Sequence, residues 1–187
     1  LTSGTMALQG EELTIVGRRA VAEFITGRAP SGDRVAVTVG RCASGPAMTD
    51  LLDGPRWSGW GVSVENLRFQ GADNAGLRLN QVANLTLKWA FGFPEATSAW
   101  AQPAVAGGRL FVGSQDGVIY ALDAKTGCSH WTYAARTGVR TAISIGAMGD
   151  GHALFFGDIG ARVYAIDAVT GAELWSREVE NHPAARI

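Results

Sequence analysis

The stretch YALDAKTGCSHW, Tyr120 to Trp131, returns almost unchanged as YAIDAVTGAELW, Tyr164 to Trp175. Tyr120 to Tyr164, Gly127 to Gly171 and Trp131 to Trp175 are each 44 positions apart. Three landmarks on one spacing define an internal repeat. Within the first copy Val118, Tyr120 and Leu122 alternate with Ile119, Ala121 and Asp123, the period of a strand. Asp-Ala-Lys-Thr-Gly then reads as a turn, because an Asp carboxylate accepts backbone N–H groups and Gly127 supplies a positive φ. The chain doubles back into a strand that carries Trp131, expected to face a neighbouring sheet. A shorter echo, LTLKWAF at Leu85 to Phe91, places Trp89 another 42 positions upstream.

Working outward, four strands are predicted in each copy: Gln102–Ala106, Leu110–Gly113, Val118–Asp123 and Cys128–Tyr133, then Thr141–Ile145, Ala153–Gly157, Val163–Asp167 and Glu173–Arg177. A period of about 40–45 residues made of short strands and Gly turns is the mark of a β-propeller with four strands per blade. No Trp-Asp dipeptide occurs, which disfavours the WD40 class. Composition fits a soluble domain with many turns: 47% hydrophobic, 18% charged and 25 glycines among 187 residues. Sixteen Lys and Arg against 17 Asp and Glu leave no basic field, which argues against nucleic acid as a partner. No apolar run approaches the roughly 18 residues of a membrane span.

The unit A-x-D-x-x-T-G-x-x-x-W, at Ala121 to Trp131 and again at Ala165 to Trp175, resembles the tryptophan-docking motif of pyrroloquinoline-quinone (PQQ) type propellers. WSGWGVSVENLRFQ, Trp57 to Gln70, resembles the segment that opens those propellers. From residue 57 to the end the chain is most similar to the polyvinyl alcohol dehydrogenases, a quinohaemoprotein family. The resemblance implies a periplasmic or secreted oxidoreductase in which PQQ, with Ca²⁺, takes a hydride from a secondary or polymeric alcohol, and electrons pass to haem c or an acceptor cytochrome. A non-enzymatic reading stands beside it: propellers with this repeat also serve as outer-membrane assembly lipoproteins whose blade loops bind protein partners.

The fold class expected is mainly β, a partial PQQ-type propeller of about two to three blades, preceded by one α-helix from the end of a cytochrome c-like domain. That helix is predicted over residues 10 to 27, from the helical spacing of Leu13, Val16, Ala20, Val21, Phe24 and Ile25 with a Gly stop at Gly27. Met6 followed by this helix resembles the C-terminal end of a class I cytochrome c, where the Met is a haem axial ligand. A Met in a frayed terminus is the plain alternative. The C-x-x-C-H haem signature is absent. The division expected is residues 1–28 as cytochrome remnant, 29–56 as linker, and 57–187 as N-terminal blades. Cys42 and Cys128 are either two free thiols or, in a periplasmic parent, a disulfide tying linker to propeller.

A residue that recurs in every copy serves the blade, so Asp123, Asp167, Thr126, Thr170, Trp131 and Trp175 are given structural roles. Function belongs to the loops entering each innermost strand, which converge on the axis. There Arg140 and Arg186 offer guanidinium forks suited to a quinone carboxylate or carbonyl, Thr141 and Ser144 offer hydroxyls, and Trp100 either stacks on a flat cofactor or packs against the next blade. Arg140 is similar to the Arg that follows the cofactor-contacting loop of quinoprotein alcohol dehydrogenases. Two features depart from them: Trp100 stands where they carry a Glu, and their adjacent Cys-Cys pair is missing. No catalytic base and no Ca²⁺ carboxylates are recognised in residues 57–187, and His130, His152 and His182 do not cluster. A closed ring needs roughly 4–8 blades, more than residues 57–187 provide, so this stretch expressed alone is expected to self-associate through unpaired edges. Analytical ultracentrifugation checks this, and a monodisperse, cooperatively melting monomer would contradict it.

Overall fold

A computed structural model of the chain describes residues 40–179 apart from 45, 46, 49, 50, 64, 66, 95 and 97. The predicted helix over 10–27, Met6, His182 and Arg186 lie outside the described residues. Two four-stranded antiparallel sheets follow one another, ordered β1-β2-β3-β4 and β5-β6-β7-β8. Their strands are β1 Ala104–Ala106, β2 Arg109–Gly113, β3 Val118–Asp123, β4 Ser129–Ala134, β5 Ser144–Met148, β6 Gly151–Gly157, β7 Arg162–Asp167 and β8 Glu173–Glu178. Each sheet is a meander, one propeller blade, as the repeat implies. A one-turn helix, α1 (Ala72–Ala75), and a 3₁₀ segment at Leu79–Asn84 precede them.

The two faces of β3 are buried differently. Ile119 and Ala121 join Phe111, Trp131, Val139, Ile143, Leu154, Phe156, Tyr164 and Ile166 in a core between the two blades. Val118, Tyr120 and Leu122 face the other way, against Trp89, Phe91 and Phe93. Every residue of β3 is therefore buried, which is what a sheet stacked between two layers requires. Of LTLKWAF, Trp89 and Phe91 pack on this second face while Leu85 and Leu87 are exposed. Phe91 meets Tyr120 edge-on at 5.1 Å, as Tyr133 meets Tyr164 at 6.0 Å in the next interface. Trp89 and Phe91 thus hold, on the first blade, the stations that Trp131 and Tyr133 hold on the second.

Repetition extends to the turns. Asp123 Oδ1 accepts N–H bonds from Lys125 at 3.0 Å and Thr126 at 2.9 Å, and the Thr126 hydroxyl at 2.9 Å; Asp167 Oδ1 does the same with Val169, Thr170 and the Thr170 hydroxyl. Gly127 and Gly171 follow with φ of 75° and 72°. A Cβ on Gly171 would lie 2.6 Å from the Trp131 ring, and one on Gly127 would lie 2.7 Å from Trp89. Glycine is needed twice over, for the left-handed backbone and for the indole lying on it. The Trp89 ring N–H donates to Ala124 O at 3.2 Å. Trp131 is 6% exposed.

Local features depart from simple alternation. Register shifts between Ala121 and Leu122, and 44 residues later between Ala165 and Ile166, leave His130 and Leu174 as the extra residues of matching bulges. β5 begins at Ser144, three residues after the predicted start at Thr141. The Thr141 hydroxyl takes the place of the ladder there, donating to Gly157 O and accepting from Gly157 N–H, both at 3.0 Å. Cys42 and Cys128 are bonded, with Cα atoms 5.1 Å apart, and Gly40 to Cys42 run parallel to the outer edge of β4 through an Arg41–Ser129 bridge. Closing 86 residues in this way stabilises the fold by about 4–5 kcal/mol in the chain-entropy account.

If the tryptophan seat is what joins the blades, Gly171→Ala costs far more than Gly149→Ala. Both glycines have positive φ, but a Cβ on Gly149 meets nothing within 4 Å. Strain alone gives about 1–2 kcal/mol at Gly149, whereas loss of the Trp131 seat brings Gly171 to about 3 kcal/mol or more. Denaturant unfolding of the two variants checks this, and equal losses would contradict it.

Candidate functional site

The strands alternate in direction, so each blade has two ends. The chain runs into β1 and β5 at the upper end, where the β2–β3 and β6–β7 turns also lie. The Asp-x-x-Thr-Gly turns and the disulfide lie at the lower end. In a propeller the innermost strands line the axis, and here these are β1 and β5. Trp100 and Arg140 stand four residues ahead of β1 and β5 respectively, the same station in adjacent blades.

The structure brings these two together. The Arg140 guanidinium lies over the Trp100 ring, 4.5 Å from its centroid, within the range of a cation–π contact. Trp100 is 54% exposed, so it does not pack into the blade interface. Arg140 is also exposed. Thr141, next in sequence, is committed to Gly157 by the pair of bonds described above, so its one O–H is already spent on a backbone carbonyl. Ser144, at the first position of β5, lies beside Gly59: a Cβ there would be 3.3 Å from its Oγ.

Sequence reasoning did not anticipate the use made of Trp57–Gly61. Trp57 and Val105 exchange backbone bonds of 2.8 Å, Gly59 N–H donates to Ile143 O at 2.8 Å, and Ile145 N–H donates to Ser58 Oγ at 2.9 Å. The segment lies on the inner edges of β1 and β5 at once, between the two blades and the axis. Five residues with two Trp and two Gly gave no strand period, and against the two free strand edges they form isolated bridges and a turn rather than a strand.

Two buried polar groups near the upper end support loops. Asp158 is fully buried; its carboxylate accepts the Tyr164 hydroxyl at 2.7 Å and the N–H groups of Gly160 and Arg162. Burial and this bond to Asp158 push the Tyr164 phenol far above its usual range, so it stays a donor. At the lower end Arg109 reaches from the first blade to the Val169 carbonyl of the second, 2.9 Å away. Beside it, His130 approaches Asp123 Oδ2 at 3.6 Å. Burial, reinforced by Arg109, lowers the His130 pKa, so the ring is neutral at pH 7. Ala153 and Leu174 hold the matching places in the second blade. This cluster is a fixture of one interface, at the end of the blades opposite Trp100 and Arg140. Among the described residues, no group of three or more His, Cys, Asp or Glu is arranged to hold a metal ion.

A repeat family described as outer membrane protein assembly factor BamB, of the PQQ type, matches residues 78–187. The chain belongs to this family of PQQ-type propellers. Two curated relatives are both named polyvinylalcohol dehydrogenase. One, from Pseudomonas sp., is 33% identical over 158 residues, covering 76% of this chain and 24% of the relative. The other, from Sphingopyxis sp. (strain 113P3), is 40% identical over 111 residues, covering 59% of this chain and 16% of the relative. The chain therefore spans a quarter or less of the relatives it matches. Quinohemoprotein alcohol dehydrogenase from Comamonas testosteroni shares the fold, with a TM-score of 0.55 at 24% identity over 69% of this chain and 20% of that one.

Within this PQQ-type propeller, Thr141 has a structural role that can be separated from ligand binding. Thr141→Val removes both bonds to Gly157 and is expected to destabilise the protein by about 1–3 kcal/mol, while Thr141→Ser retains them. Thermal melts of the two variants check this; a Val variant as stable as the parent would contradict it.

Proposed function

We propose that this chain is a fragment of a PQQ-dependent alcohol dehydrogenase, carrying N-terminal blades of its propeller, that acts on secondary alcohols of the polyvinyl alcohol kind, with the quinone seated on the upper face at the axis and electrons passing on to haem c. The observation that carries the reading is the meeting of Trp100 and Arg140 at matching stations beside the innermost strands. Two relatives that are both named for alcohol oxidation support it.

Trp100 and Arg140 fit a flat, carboxylate-bearing quinone. An exposed indole offers a planar apolar surface, and a guanidinium offers parallel N–H donors that match a carboxylate. When bound, such a quinone supplies a two-electron acceptor for the hydride of an alcohol. This chain's part is to place it: Trp100 fixes the plane, Arg140 fixes the edge, and the stack between them holds the guanidinium flat before a ligand arrives. Arg186, expected at the matching station of the following blade, would add a second fork. Thr141 contributes by holding the loop that carries Arg140. Among the described residues no group of three or more His, Cys, Asp or Glu is arranged to hold Ca²⁺. Met6 as a haem ligand belongs to the same reading, and the Cys42–Cys128 bond suits a periplasmic or secreted location.

The test uses the full-length parent freed of cofactor, reconstituted with PQQ and Ca²⁺, and assayed by dye reduction with a secondary alcohol. Arg140→Ala is expected to raise the quinone concentration for half-activation about ten- to a hundredfold, the value of a charge-assisted hydrogen bond, with Arg140→Lys in between. No quinone-dependent dye reduction, or an Ala variant that saturates like the parent, would contradict the reading and leave the assembly-scaffold alternative.

A further inference from the structure

Trp57–Gly61 does more than cover strand edges. The segment passes from Val105, midway along β1, to Ile143, just ahead of β5, and so climbs toward the upper face. There it turns: Ser58 N–H donates to Gly61 O at 3.2 Å, and Gly59 takes a φ of 69°. The residue at the tip is Trp60, 44% exposed, with the Arg68 guanidinium 5.4 Å from its ring centroid. Trp100, on the same face, is exposed and carries Arg140 in the same manner. One end of the hub thus presents two indoles with an arginine over each, one of them on a turn bonded to both blades.

A tryptophan left facing water on an anchored turn keeps its place without a ligand, so little freedom is lost when one arrives. The indole face receives C–H surfaces, and the guanidinium edge donates to neutral hydroxyl oxygens. A chain of alternating methylene and hydroxymethine groups offers both along its whole length. A small alcohol offers one unit and is spent at the reacting position.

We propose that Trp60 with Arg68, continuing the Trp100–Arg140 pair, forms a rim that holds the flanking units of a polymeric secondary alcohol outside the hydroxyl that reacts. The identity of the polymer rests on the function proposed above; the rim itself rests on the placement of Trp57–Gly61.

Affinity electrophoresis of the full-length parent through native gels containing polyvinyl alcohol tests it without recourse to turnover. The parent is expected to be retarded, Trp60→Ala to weaken retention at least tenfold, Arg68→Ala to weaken it by a smaller factor, and Trp60→Phe to keep most of it. Retention is expected to survive 0.3 M salt, because the polymer carries no charge. An unretarded parent, a Trp60→Ala variant retained like the parent, or preferential, salt-sensitive retention by polyacrylate would overturn the proposal. Failure of dye reduction with retention intact and lost in Trp60→Ala would sink the redox reading and leave the rim standing.

Discussion

An indole lying flat on a glycine turn joins one blade to the next. Trp131 belongs to the outermost strand of the first blade, yet its ring rests on Gly171 of the second, at a distance that leaves no room for a Cβ. Trp89 rests on Gly127 in the same way. A large apolar ring buried this fully contributes several kcal/mol, and it does so at one fixed point per blade. The angle between sheets is set there, and with it the direction in which β1 and β5 face. What reaches the axis is a consequence of that angle.

Because the lower ends are pinned, the upper ends are free to vary. Below, Asp123 and Asp167 hold identical hydrogen bonds, and Arg109 and the disulfide add further ties. Above, the equivalent stations carry Trp100 in one blade and Arg140 in the next, and the equivalent turns carry Ser114 in one and Asp158 in the other. The division follows from the repeat itself. Residues that build the interface must recur with it, whereas a ligand on the axis meets each blade from a different side and asks a different residue of each.

The repeat, the strands and the tryptophan series were legible in the sequence because they obey local rules: alternation, an Asp-to-Gly turn, and a period of 44. Arg140 and Trp100 were legible as residues of the converging loops, but their stacking on one another was not, since it depends on the angle between two blades. His130 and Leu174 read as ordinary members of alternating strands, and only the ladder shows both as bulged. Thr141 looked like a free hydroxyl because its partner, Gly157, lies on another strand. Trp57–Gly61 resembled a family segment by its letters, while its place along two strand edges is a property of the assembled blades.

The central claim is that the upper face beside β1 and β5 is built to seat a flat anionic redox ring. A crystal structure of the full-length parent with PQQ bound tests it most directly. The quinone is expected at the axis, its plane against Trp100 and a carboxylate within hydrogen-bond reach of Arg140. A quinone bound elsewhere, with Arg140 still lying on Trp100 as it does here, would contradict it.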